Sequence, residues 1–206
     1  NNLAQVLQDT NRLPEAEPLM RRALSIGERS FSPDHPNVAI RLSNLALLLK
    51  ATNRLSEAEP HMRRALSIDE RSFGPDHPNV AIRLTNLASL FQATNRRSEA
   101  EPLMRRALTI GERSYGPDHP SVAIRLSNLA TLLQATDRLK EAEPLMARQF
   151  EIFLKFRAAT GHEHPYQRVA TRNYIGLFQA LERTPEQIAE VLRGLSERYG
   201  VPIELE

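Results

Sequence analysis

The 206 residues carry 41% apolar and 25% charged side chains, 14 prolines, eight glycines and no cysteine. That balance fits a globular chain and argues against disorder. It also excludes disulfides, thiolate metal sites and thiol catalysis. Twenty-seven basic residues stand against 25 acidic ones, and only Lys50, Lys140 and Lys155 are lysines. Such near-neutrality argues against a polycationic nucleic-acid binder, and no apolar run is long enough to span a bilayer.

A strict internal repeat organises the chain. Residues 36–77 and 78–119 are both 42 long and differ at nine positions. A truncated copy occupies 1–35, entering at Asn1-Asn2-Leu3-Ala4. A further copy covers 120–164, with three extra residues around Ala158-Ala159-Thr160, and a degenerate unit covers 165–206. In each copy the apolar spacing is helical: Leu42, Leu45, Ala46 and Leu49 make one stripe. After the turn at Ala51-Thr52-Asn53-Arg54, a second helix is marked by Ala58, Met62, Ala65, Leu66 and Phe73. Ser56 with Glu59, and Ser98 with Glu101, have capping-box spacing at its start. Pro60 is expected in the first turn, at its fourth position, Gly74 ends the helix, and Pro78 restarts the chain in the next one. One such hairpin cannot bury its own apolar face, so neighbours must stack.

The triplet Asn44-Leu45-Ala46, the alanines at 58 and 65, and the 42-residue period resemble the tetratricopeptide repeat (TPR). The phrases S-E-A-E-P, R-R-A-L and G-P-D-H-P are similar to the repeats of kinesin light chains. The resemblance implies an all-α, right-handed superhelix, a single solenoid of about five helical hairpins over residues 1–206. It also implies a concave groove lined by the first helix of every hairpin.

Chemistry is sparse. His35, His77 and His119 recur one repeat apart, too far to share a metal ion, and read as loop residues at helix starts. No phosphate-binding loop, nucleophile elbow or H-E-x-x-H is present. Glu17, Glu59 and Glu101 precede Arg21, Arg63 and Arg105 by four residues, the spacing of helix-surface ion pairs. Neither catalysis, cofactor nor metal is expected.

The residues expected to face the groove are Ser43, Asn44, Leu47 and Lys50, then Thr85, Asn86, Ser89 and Gln92, then Ser127, Asn128, Thr131 and Gln134. An amide that both donates and accepts suits an extended peptide; equally, Asn44, Asn86 and Asn128 could tie neighbouring helices together. Arg41, Arg83 and Arg125 read either as a basic rim or as partners of preceding acids. TPR domains that clamp a C-terminal carboxylate place a cation where this chain has Ile40, Ile82 and Ile124, which argues against that clamp. Phe150, Phe153 and Phe156 mark a closing unit or an aromatic docking surface. In the last unit the register of Asn173 is open by one residue. The expectation is a cytoplasmic scaffold that holds a protein or peptide segment, with no nucleic acid and no membrane as partner. The alternative is an assembly module acting through end-to-end stacking or dimerisation.

Overall fold

The computed structural model describes residues 12–203. Asn2 of the asparagine series, the expected helix around it, and Leu205-Glu206 lie outside them. Among the described residues there are nine α-helices and no strand: α1 (Leu13–Ser30), α2 (Pro36–Ala51), α3 (Leu55–Phe73), α4 (Pro78–Ala93), α5 (Arg97–Tyr115), α6 (Pro120–Gln134), α7 (Leu139–Thr160), α8 (Gln167–Ala180) and α9 (Pro185–Tyr199). They fall into two compact units, divided between Ile110 and Gly111 inside α5.

In the first unit, α2 and α3 pair through a three-residue turn whose Asn53 takes a φ of 60°. The left-handed region tolerates asparagine better than most side chains. The alanines expected at helix contacts are interior: Ala46, Ala58, Ala65 and Ala88 are fully buried, and so are Leu42, Leu45 and Leu49, with Met62 nearly so. Between α4 and α5, Val80, Ala81 and Leu84 meet Ala107 and Ile110, with Leu66 and Leu103 covering the cluster. In the second unit α6 pairs with α7, and α7 packs on α8. Phe150 and Phe153 are buried, against Tyr174 and His164 respectively, so those two phenylalanines serve the core.

Two local expectations need correction. The Ser56 capping box does not form, because α3 starts two residues earlier than such a cap requires. Arg54 holds the N-cap position, and no side-chain cap bond is made there within the described residues. Glu59 is drawn instead to Arg63 and Arg96. Pro60 lies beyond the first turn; Pro18, Pro102 and Pro144 take the same internal place in α1, α5 and α7. Phe73 closes α3 as expected; it is exposed and stacks on His77.

That stack belongs to a recurring device. The helices α2, α4 and α6 open with a proline, and the histidine before it supplies the cap: Nδ1 of His35, His77 and His119 accepts from the amides of Asn37, Asn79 and Ser121 at 3.0–3.1 Å. Phe31, Phe73 and Tyr115 lie flat on these rings with centroids 4.6–5.0 Å apart. The proline has no N–H to satisfy, so the first free donor is the amide that follows it, within reach of the imidazole.

Arginine forks join successive second helices. Arg54 grips Glu57 and also Glu17 of α1; Arg96 grips Glu99 and also Glu59 of α3. Arg64 and Arg106 each bridge a glutamate (Glu28, Glu70) and a loop carbonyl (Pro33, Pro75). Arg148 does the same in the second unit with Glu112 and Pro117. Planar multi-donor heads explain why arginine outnumbers lysine here. The expected pairs Arg21–Glu17, Arg63–Glu59 and Arg105–Glu101 form at 2.8–2.9 Å.

Candidate functional site

The first helices bury one face and leave another open. On α2 the spacing 40, 44, 47 is i, i+4, i+7, a single stripe. It carries exposed Ile40 and Leu47 on either side of half-buried Asn44. On α4 the stripe is Ile82, Asn86 and Ser89; on α6 it is Ile124, Asn128 and Thr131. The last unit settles the register of α8. Glu182 after α8 has the left-handed φ that Asp137 has after α6, and Tyr174, Leu177 and Phe178 are buried where Leu129, Leu132 and Leu133 are. Asn173 therefore holds the asparagine's place, between Val169 and Gly176. Ile40, Ile82, Ile124 and Val169 are 40–50% exposed. A branched apolar side chain and an amide thus recur together on four helices. None of α2, α4, α6 and α8 contains an aspartate or glutamate. Sequence reasoning used the isoleucines only to argue against a clamp. Their recurrence one turn before each asparagine was the available signal.

The expected groove residues do not all lie open. Ser43 is buried, and its hydroxyl accepts from the Asn86 side-chain amide at 3.2 Å, linking α2 to α4. The Thr85 hydroxyl donates to the Ala81 carbonyl of its own helix at 2.8 Å. Lys50 is half-buried and donates to the Ser89 hydroxyl; burial holds its pKa below the ordinary lysine value. Asn44, Gln92, Ser127, Asn128 and Gln134 are half-buried, and Thr131 is exposed.

The arginines turn toward the preceding helix rather than out to a rim. Arg83 Nε donates to Asp69 of α3 at 2.8 Å, with side-chain exposures of only 11% and 1%. The copies on either side carry glycine in place of that aspartate. Arg41 lies flat over Gly27, where an added Cβ would sit 2.9 Å from its Cδ. Arg125 covers Gly111 in the same way. Each donates from Nη1 to a carbonyl one turn back, at Asn37 or Ser121, 2.8 Å away. Among the described residues the Nε atoms of Arg41 and Arg125 are buried without a partner. Burial lowers the Arg125 pKa.

Among the described residues no group of three or more histidine, aspartate or glutamate side chains is placed to hold a metal ion, and no helix is long and apolar enough to cross a membrane. The helices pair as repeated hairpins, the architecture of a helical-repeat protein. The tetratricopeptide repeat family profile matches residues 1–71, 54–113 and 97–155, and the chain belongs to that family. Its fold is shared by a Podosopora anserina protein described as a kinesin light chain with nearly identical TPR-like repeats. That structure is 22% identical, with a TM-score of 0.77 over 96% of this chain and 93% of the other. BtubC (BKLC) from P. vanneervenii is 23% identical, with the same TM-score over 99% of this chain and 82% of its own. No curated protein sequence matches the chain. The TPR fold is a scaffold for protein interaction.

Proposed function

We propose that this chain is a non-enzymatic scaffold whose first helices line a groove for an extended peptide or protein segment. The observation that supports it best is the repeated pairing of an exposed branched apolar residue with an asparagine on helices free of carboxylates. Ile40, Ile82, Ile124 and Val169 offer apolar contact to side chains of the segment. Asn44 and Asn128 can bond its backbone, which in an extended strand presents donors and acceptors alternately. Leu47 and Thr131 widen the same stripes, and Lys50 gives the face a positive bias.

A peptide array probed with the purified chain identifies ligands, and substitution then locates them. Ile82→Asp puts a charge on the open face without touching the core. It is expected to weaken peptide binding by about tenfold or more, as loss of a central apolar contact does, at an unchanged melting temperature. Equal affinities of parent and variant for every array ligand would remove the groove from consideration.

A further inference from the structure

The last hairpin departs from its neighbours at positions that meet in one cavity. Where α6 has Val122, Ser127 and Thr131, α8 has Gln167, Arg172 and Gly176. These line a space of about 440 Å³ together with Arg157 of α7, Arg168 and Gln179, a volume within the range of ligand pockets. Three arginines face a single glutamate, Glu163, which lies 3.5 Å from Arg168. Arg157 donates to the Pro202 carbonyl at 3.0 Å. Among the described residues Arg172 has no carboxylate partner, whereas the arginines joining the second helices are saturated by glutamates.

Gln167 supplies the second observation. Val38, Val80 and Val122 fill the corresponding place with fully buried side chains. Gln167 is 3% exposed, and its Oε1 is buried with no donor among the described residues. A buried acceptor left unmatched is costly. Gly176 completes the cavity: an added Cβ would meet nothing within 4 Å, so the helix backbone stands open to an incoming group.

We infer that this pocket receives an aspartate or glutamate side chain of an acidic peptide, the guanidinium groups taking the carboxylate and Gln167 accepting a peptide N–H. Arg168 and Arg172 stand one turn apart on the same face of α8, and guanidinium forks match carboxylates in bidentate geometry. A phosphomonoester dianion offers acceptors only and leaves Gln167 unmatched; a peptide backbone offers the donor as well. The inference rests on the groove reading in taking the ligand to be an extended peptide.

Fluorescence anisotropy on the full chain tests it, with a labelled peptide of alternating glutamate and alanine and its glutamine counterpart as probes. The glutamate peptide is expected to bind at least about tenfold more tightly than the glutamine one, and Arg172→Gln to erase that preference, since charge-assisted bonds are the strong ones. Gly176→Glu is expected to abolish binding by filling the cavity with a carboxylate of its own, without lowering the melting temperature. Equal binding of the two peptides, no binding to the parent chain, affinity untouched by Arg172→Gln, or binding that survives Gly176→Glu would each overturn the inference. Ile82→Asp separates the two readings. If it leaves every peptide unaffected while Arg172→Gln still acts, the groove falls and the pocket stands. The converse result sinks the pocket alone.

Discussion

The Asn86 side-chain amide donates to the buried Ser43 hydroxyl at 3.2 Å, across 43 residues of sequence. One member of the asparagine series therefore ties α4 to α2. The Lys50–Ser89 bond adds a second tie between the same helices nearby. A double-mutant cycle of Ser43→Ala and Asn86→Ala, followed by urea unfolding, is expected to give a coupling energy of about 0.5–1.5 kcal/mol. Zero coupling would free Asn86 for ligand contact alone.

The arginine beneath that face reports on a different balance. Asp69 is almost wholly buried and Arg83 nearly so, and breaking such a pair leaves a desolvated charge behind. Asp69→Ala is expected to cost about 3 kcal/mol in urea unfolding at neutral pH. Adding Arg83→Met should return much of that loss by removing the orphaned cation. Gly111→Asp runs the comparison in reverse. Arg125 must swing away from the added Cβ, 2.9 Å from its Cδ, and can then pair as Arg83 does. Its expected result is stability close to that of the parent, and a loss as large as that of Asp69→Ala would show that Arg125 cannot move.

Much of this architecture could be read from the sequence, because a 42-residue period and alanines at helix contacts leave few ways to stack. The helix starts were harder. Ser56 and Glu59 have the spacing of a cap, yet the Arg54–Glu57 clasp lies two residues to the N-terminal side. A histidine cap has the same written form as a loop histidine, since the bond from the Asn79 amide to Nδ1 of His77 depends on the ring being turned by Phe73. The direction of Arg83 depended on Asp69, a residue only one copy carries, fourteen positions back on another helix. Asn173 was obscured because Tyr174 replaces a leucine and Ile175 an alanine. The shared turn geometry at Asp137 and Glu182 was invisible until the backbone was seen.

The histidine at the last hairpin makes the fold sensitive to mild acid. Nδ1 of His164 accepts from the Tyr166 amide at 3.3 Å, just ahead of α8, while the ring stacks on Phe153 and meets the edge of Phe156. Burial lowers its pKa, so the fold favours the neutral ring. Its contribution is complete above the free-histidine value of about 6.5 and is lost as pH falls through that value toward the folded one. His61 is shifted the same way, by burial first and then by Arg21 and Arg64, so the variant must be compared with the parent. His164→Asn keeps a side-chain acceptor that does not titrate. Between about pH 7.5 and about pH 5.5 its melting temperature should fall less than that of the parent. Parallel curves would exclude His164 as a source of the acid sensitivity.

Gly74 ends α3 with φ 88° and ψ 160°, a region open in practice to glycine alone. An added Cβ there meets nothing within 4 Å, so any penalty for a side chain arises in the backbone and not in packing. Gly116 takes the same φ after α5. The first copy has Ser32 at this place, and its helix α1 closes differently, with Phe31 as the C-cap at φ −111°. Gly74→Ala is therefore expected to cost about 1–3 kcal/mol in chemical denaturation. Gly194, inside α9 and equally open around its Cβ position, is the control: Gly194→Ala should gain up to about 1 kcal/mol through helix propensity. If Gly74→Ala proves neutral, the turn before Pro75 can relax toward the Ser32 conformation, and the glycine there is not required by the fold.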